Sequence, residues 1–392
     1  MKITMLTESL GSGGAERQLC ILAVEMKRRG HSVQVATYAP GDFYLPELQK
    51  GDVPHIFLGG KGTWDWLRKV RRFLRSERQD VVLAFLHSSA AYAELSALPA
   101  RRWGLVVSER DSLQDIGNSA YRFRKYLHLI AEAITVNSHA SRLKLEKAVP
   151  ALKNRMVTIY NAVDIDRFNP SIGQKKNKDI RLIVAGRIDR NKNLLGTIDA
   201  IDLLTHRHGI QVSVDWFGSE ATDFSLLHQC ERRIKEQGLS DRIHIHQPTR
   251  DIISKYQQSD AVLLPSFYEG LPNTVCEGMA CGKPVLMSAV CDAGNLVKEG
   301  QNGFLFPPHD PNDMANAIKK FVSLSEEQRL AMGEASRRMA EEYFSLKKVA
   351  DLYESVLLSA CQRQHPNIGH WLPDVPWTAL QHNELLASKS KI

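Results

Sequence analysis

Alternation constrains this chain more than any other feature. Short runs rich in aliphatic residues recur at Lys2–Thr7, Ser32–Thr37, His55–Leu58, Val81–Leu86, Leu105–Ser108, Ile134–Asn137 and Val157–Tyr160, with amphipathic stretches between most of them. Strand-length runs alternating with helical stretches predict a parallel sheet covered by helices. The polar segment Asn161 to Lys178, with Asn169-Pro170 and Gly173, breaks the rhythm and reads as a linker. The rhythm restarts at Ile180–Ala185, Val212–Phe217, Ile243–His246, Ala261–Leu264, Pro284–Met287 and Gly303–Phe306. The expectation is an α/β chain of two successive doubly wound, Rossmann-like domains with a cleft between them. Its expected divisions are 1–165, a linker 166–179, a second domain 180–345, a helix 346–361 that could cross back, and a tail 362–392 of unassigned role. A length of 392 residues suits two cores better than one.

No apolar run approaches a membrane span, and Met1 to Thr7 turns polar too soon for a secretory signal. Cys20, Cys230, Cys276, Cys281, Cys291 and Cys361 form no C-x-x-C pair and no metal-finger spacing. That scatter suggests reduced thiols in a cytoplasm. The net charge of +7 is uneven: residues 1–170 hold 25 Lys and Arg against 17 Asp and Glu, the remainder 26 against 27. The basic half could face nucleic acid, an anionic membrane surface or an acidic substrate.

Ligands of doubly wound sheets bind beyond the C-terminal strand ends, so the loops there matter most. The first strand runs into Gly11-Ser12-Gly13-Gly14-Ala15-Glu16. A G-x-G-x-x-G fingerprint fails because Glu16 holds its last position, which disfavours an oxidoreductase. Gly13 and Gly14 could still let a phosphate approach the start of a helix, or form an ordinary turn. His87 follows the Val81–Leu86 run, and Ser108-Glu109-Arg110-Asp111 follows the next. Glu109 and Arg110 could contact a polar ligand or pair with each other. Trp64 to Arg78 is a basic amphipathic helix, and Tyr121 to Tyr126 a basic–aromatic patch. Each could lie on an anionic bilayer, although the helix could equally cover the sheet with its charges solvated. No nucleic-acid recognition motif accompanies them. Asp164 and Asp166 form a D-x-D pair, too little to indicate a metal site.

In the second half, Gly186-Arg187 and Lys192-Asn193 leave the strand Ile180–Ala185, and Gly218 ends Val212–Phe217. Arg can fork onto a diphosphate and Lys add a point charge. Phe267 to Lys283 reads F-Y-E-G-L-P-N-T-V-C-E-G-M-A-C-G-K. Glu269 falls in a loop after a strand and Glu277 about two turns into a helix. The amides of Leu271, Asn273 and Thr274 lie where a helix start can hold an anion. Carboxylates flanking an anion site fit a ligand with hydroxyls at both ends and phosphate between, such as a nucleotide sugar.

The ordered series Gly13-Gly14, G-R-x(4)-K-N at 186–193, E-G-x-P-x(4)-E at 269–277 and Gly282-Lys283-Pro284 resembles the retaining glycosyltransferases of family 4, which have the GT-B fold. Tyr160-Asn161-Ala162-Val163-Asp164 and Phe168 are similar to that family's interdomain segment. The resemblance covers roughly residues 1–345. It implies a metal-independent, cofactor-free transfer from a nucleoside-diphosphate sugar, most readily UDP-linked, to a lipid-linked or polysaccharide acceptor of cell-envelope glycan assembly. It implies that Glu269 binds sugar hydroxyls, Glu277 the ribose, and Arg187 and Lys192 the departing diphosphate. The amides of Gly14, Asn273 and Thr274 would hold phosphate and sugar, Gly13 and Gly218 would allow close approach, and His87 would meet the sugar. Glu109-Arg110 is similar to an S-x-R-N element of one branch, with Asp111 in place of the Asn. Asn295 stands where many relatives carry Glu. A location peripheral to the inner membrane face would follow. The alternatives are a soluble small-molecule glycosyltransferase and a catalytically silent nucleotide-sugar-binding scaffold.

Overall fold

A computed structural model describes residues 1–171, 179–219 and 224–366. The Gln174–Lys178 run, Glu220 and the tail beyond Pro366 lie outside the described residues. The chain forms two compact units, the first being Met1–Ala162 with the segment from Leu346, the second beginning at Val163.

The first unit runs β1 Lys2–Thr7, α1 Gly14–Arg28, β2 Ser32–Thr37, α2 Leu45–Lys50, β3 His55–Phe57, α3 Gly62–Ser76, β4 Val81–Phe85, α4 His87–Ala97, β5 Gly104–Glu109, α5 Ser119–Lys125, β6 Ala133–Val136, α6 His139–Ala148 and β7 Met156–Thr158. Its seven strands are parallel, in the order β3-β2-β1-β4-β5-β6-β7. β4 and β6 are buried at every residue, which a parallel sheet achieves only with helices on both faces. Strand periodicity sends Met5 and Leu83 to the core beneath α1, and Leu6, Val82 and Ala84 to the core beneath α3 and α4. β4 stops at Phe85 because Leu86 takes a φ of 70°.

The second unit runs β8 Ile180–Ala185, α7 Leu194–Asp202, β9 Val212–Phe217, α8 Phe224–Glu236, β10 Ile243–His246, α9 Ile252–Gln258, β11 Ala261–Leu264, α10 Asn273–Ala280, β12 Val285–Ser288, α11 Ala293–Leu296, β13 Gly303–Phe306, α12 Pro311–Val322 and α13 Glu326–Tyr343. Its six parallel strands lie in the order β10-β9-β8-β11-β12-β13. The final helix, α14 Leu346–Cys361, packs in the first unit through Val349, Tyr353, Val356 and Leu357. Arg29 fastens it there, reaching Asp351 and Glu354 at 2.8 Å each.

The start of the expected linker is built into the second unit. Val163 bridges Ser345, Phe168 is buried, and Arg337 donates to the carbonyls of Ile165 and Phe168. Asp164 spends one carboxylate oxygen on the Arg167 amide at 3.1 Å, a turn cap.

The basic helix α3 covers the sheet. Val70, Phe73 and Leu74 are buried in the core. Arg71 donates to the carbonyls of Leu95 and Ser96, and Arg75 to those of Leu98 and Ala100. These arginines satisfy the open carbonyls at the end of α4, so the membrane-facing reading of α3 does not hold for them.

Candidate active site

The switch point of each sheet, where strand order reverses, lies between β1 and β4 and between β8 and β11. Such points leave a crevice at the C-terminal strand ends. In the second unit the loops after β8 and β11 meet there, and two asparagines, one on each side of Lys192, lace them. Asn191 donates from Nδ2 to the Tyr268 carbonyl and accepts the Tyr268 amide, both at 3.0 Å, while its own carbonyl takes the Phe267 amide at 2.9 Å. Asn193, at a φ of 58°, caps α7 by accepting from Gly196 and donates to the carbonyls of Pro265 and Pro308. Between them Lys192 Nζ meets Glu269 Oε1 at 2.5 Å, with side chains 19% and 12% exposed. The sequence pattern includes Asn193 and passes over Asn191, and it assigns neither a role. Their signal was a turn-forming residue type beside the cation.

Arg187, from the same loop, stays 72% exposed, with Asp189 3.5 Å away. Beside it, Gly218 packs directly on the Gly186 carbonyl, where a Cβ would collide. Trp216 Nε1 donates to that same carbonyl at 3.0 Å. Gly218 is therefore explained by backbone packing that seats the Arg187 loop.

α10 begins at Asn273 and Thr274 behind Pro272, without a side-chain cap. Glu277 lies little more than one turn in, nearer the helix start than expected. It is buried, and Tyr256 OH donates to its Oε2 at 3.3 Å. Gly278 permits this depth, because a Cβ there would strike Val262 of β11. Gly282, at a φ of 69°, turns the chain out of the helix. Glu269, Lys192, Arg187, Glu277 and the α10 start thus share one strand-end region. The ensemble offers two cations, helix-start amides and two carboxylates.

In the first unit, Gly13 and Gly14 open α1, and a Cβ on Gly13 would strike the Glu16 carboxylate. His87 is the first residue of α4 and is exposed. Glu109 and Arg110 do not pair. Glu109 is buried against Lys125 at 2.7 Å and His128 at 3.0 Å. Arg110 turns away, to Asn161 Oδ1 at 2.7 Å and Tyr353 OH at 2.6 Å. Tertiary partners distant in sequence separate the two neighbours. Among the described residues no group of three His, Cys, Asp or Glu is gathered for a metal, and no helix is long and apolar enough to cross a membrane.

Residues 12–167 match the family model described as Glycosyltransferase Family 4, and residues 166–339 the one described as Glycosyl transferases group 1. A D-inositol 3-phosphate glycosyltransferase of Corynebacterium jeikeium is 26% identical over 243 residues, covering 58% of this chain and 58% of that protein. The chain thus matches less than two thirds of that relative's length. The GalNAc-alpha-(1->4)-GalNAc-alpha-(1->3)-diNAcBac-PP-undecaprenol alpha-1,4-N-acetyl-D-galactosaminyltransferase of Campylobacter jejuni is 22% identical, covering 81% of this chain and 88% of that protein. The Anabaena protein HepE, solved in complex with UDP-glucose, superposes with a TM-score of 0.81 at 22% identity, covering 92% of this chain and all of that one. Two parallel sheets with this strand order, together with both family models, make the chain a member of the group 1, family 4 glycosyltransferases with the GT-B fold.

Proposed function

We propose that this chain moves a sugar from a nucleoside-diphosphate sugar, UDP-linked by analogy with the HepE complex, to a lipid-linked or polysaccharide acceptor. The observation that carries the reading is the Lys192–Glu269 contact, held by Asn191 and Asn193 beside the start of α10. In the proposed reaction the bond from the sugar's anomeric carbon to the β-phosphate oxygen breaks, its electron pair staying on that oxygen. Arg187, Lys192 and the amides of Asn273 and Thr274 stabilise the charge that builds there, so the chemistry is proposed to run without a metal. Glu269 holds the sugar's hydroxyls and Glu277 the ribose. Gly13 and Gly14 are proposed to let phosphate approach α1, and His87 to meet the sugar.

No side chain in this group stands out as a nucleophile, which favours retention by front-face exchange. The acceptor oxygen bonds to the anomeric carbon on the side the phosphate leaves, and its proton passes to that phosphate. The acceptor class is supported by the undecaprenol-linked substrate in the Campylobacter relative's name. It is also supported by the patch where Phe123 is 75% and Tyr126 46% exposed among Arg122 and Arg124, which we propose touches an anionic membrane surface. Transfer from radiolabelled UDP-sugars to a membrane extract tests the reading. Arg187→Ala and Glu269→Ala should each lower turnover by orders of magnitude while the protein stays folded; near-normal activity in either removes that residue from the mechanism.

A further inference from the structure

α10 is a short rod whose position has to be set from outside it. Its residues Asn273–Ala280 span about 12 Å, so a shift at either end moves both. It starts without a side-chain cap. Its middle is placed by Gly278, which lets it close on Val262, and by the Tyr256 hydroxyl on Glu277. Its last turn is placed by α13. Carbonyls at a helix end lack intrahelical donors. Here the amides of Lys283 and Gly282 take the carbonyls of Gly278 and Met279, and Arg337 takes that of Ala280 at 2.6 Å. The same Nη1 reaches the carbonyls of Phe168 at 2.7 Å and Ile165 at 3.1 Å. One guanidinium therefore ties the helix end to the segment 165–168. Its Nε donates to Glu341 Oε1 at 2.6 Å, which fixes the direction of the planar fork. Gly333, one turn before Arg337 on the same face of α13, lets the elements close: a Cβ there would lie 2.2 Å from the Gly282 carbonyl oxygen. The neighbouring Arg338 points to solvent, with a side chain 69% exposed against 19% for Arg337. The cation also meets the negative end of the α10 dipole, opposite the end that suits an anion.

We propose that Arg337 is a positioning residue for the donor. Through Ala280 it fixes the axial place of α10, and with it the Asn273 and Thr274 amides and the Glu277 carboxylate that would meet a nucleoside diphosphate. The proposal rests on the donor reading of that helix and adds a residue that acts from its far end. Binding geometry has to hold to within about 0.5 Å to be productive, and a short helix loose at one end does not keep it.

The test compares UDP titration, amide exchange at residues 276–280 and thermal melting for the full chain, Arg337→Gln and Arg337→Lys, with Glu277→Ala alone and combined with Arg337→Gln. Arg337→Gln should weaken UDP binding about tenfold, the scale of a lost hydrogen bond to a charged group, and speed exchange in α10. Arg337→Lys keeps the cation but has one nitrogen for carbonyls on two segments, so it should lose about threefold. Because Arg337 acts partly through Glu277, the double variant should lose less than the product of the single losses. A lower melting temperature with parent UDP affinity and parent α10 exchange is the mark of a purely structural arginine and overturns the proposal. Losses that multiply in the double variant overturn it as well. If Arg337→Gln does not fold, parent affinity and exchange in Arg337→Lys are the contrary result. If UDP fails to bind the parent chain, the donor reading falls instead, and α10 exchange alone judges whether Arg337 holds the helix, unchanged exchange counting against it.

Discussion

Replacing Glu109 with glutamine isolates the electrostatics of the buried cluster of Glu94, His128, Glu109 and Lys125 from its shape. The carboxylate is fully buried between Lys125 and His128. Burial pushes its pKa up, but Lys125 and then His128 outweigh burial and hold it well below the usual carboxylate range. Burial also pulls His128 down, yet Glu94 and Glu109 raise it from 6.5 to about 9. That rise marks a preference for the charged ring in the folded state. Glutamine would leave two cations facing one carboxylate in a dry site, and breaking a buried pair from one side costs roughly 3–5 kcal/mol. The pH signs follow from the same shifts. Glu109's depressed pKa contributes stability that is present above its ordinary 4.5 and lost as pH falls. His128's raised pKa contributes stability that is full below 6.5 and lost as pH rises through about 9. Glu94, raised by burial, works against the pair once it is ionised. Amide exchange in α4 and β6 is the suitable assay, because a two-unit chain does not unfold in one step. Near pH 6, Glu109→Gln should lose protection worth about 3 kcal/mol. Its alkaline loss should also move to lower pH. Wild-type protection in the variant, or parent protection that is flat from about pH 7 to 10, would refute the argument.

Other perturbations separate the parts of the account. Asn191→Ala removes the hydrogen bonds that tie Tyr268 to the Lys192 loop; it should lower kcat/KM by about tenfold or more, consistent with losing positioning, and unchanged kinetics would deny that role. Gly218→Ala forces a Cβ onto the Gly186 carbonyl and should cost roughly 1–3 kcal/mol by overpacking, with weaker nucleotide binding, read by thermal melts and titration. Arg71→Glu strips the α4 carbonyls of their donor, so it should lower the melting temperature without altering vesicle binding. Phe123→Ser should do the reverse.

Much of the fold was legible because buried parallel strands leave an unbroken aliphatic signature, as Val81–Phe85 and Ala261–Leu264 show. Motif spacing likewise brought Lys192, Glu269 and Glu277 to one strand-end region. The face of α3 was not legible: its arginines look solvated in one dimension, and only the end of α4 shows what they bind. Glu109 and Arg110 misled for a related reason. Neighbours on a chain seem paired until a helix supplies Lys125 and His128 to one and Tyr353 to the other. Gly218 has a structural reason that the sequence does not display, the approach of the Gly186 carbonyl to the place a Cβ would take.

The most direct test of the central claim is a calorimetric titration of the purified chain with UDP, GDP, ADP and their sugar conjugates, repeated with Glu277→Ala. The account predicts selective binding of the uridine ligands, weakened in the variant because Glu277 is proposed to hold the ribose. Absence of binding by a demonstrably folded protein, or binding indifferent to Glu277→Ala, would contradict it.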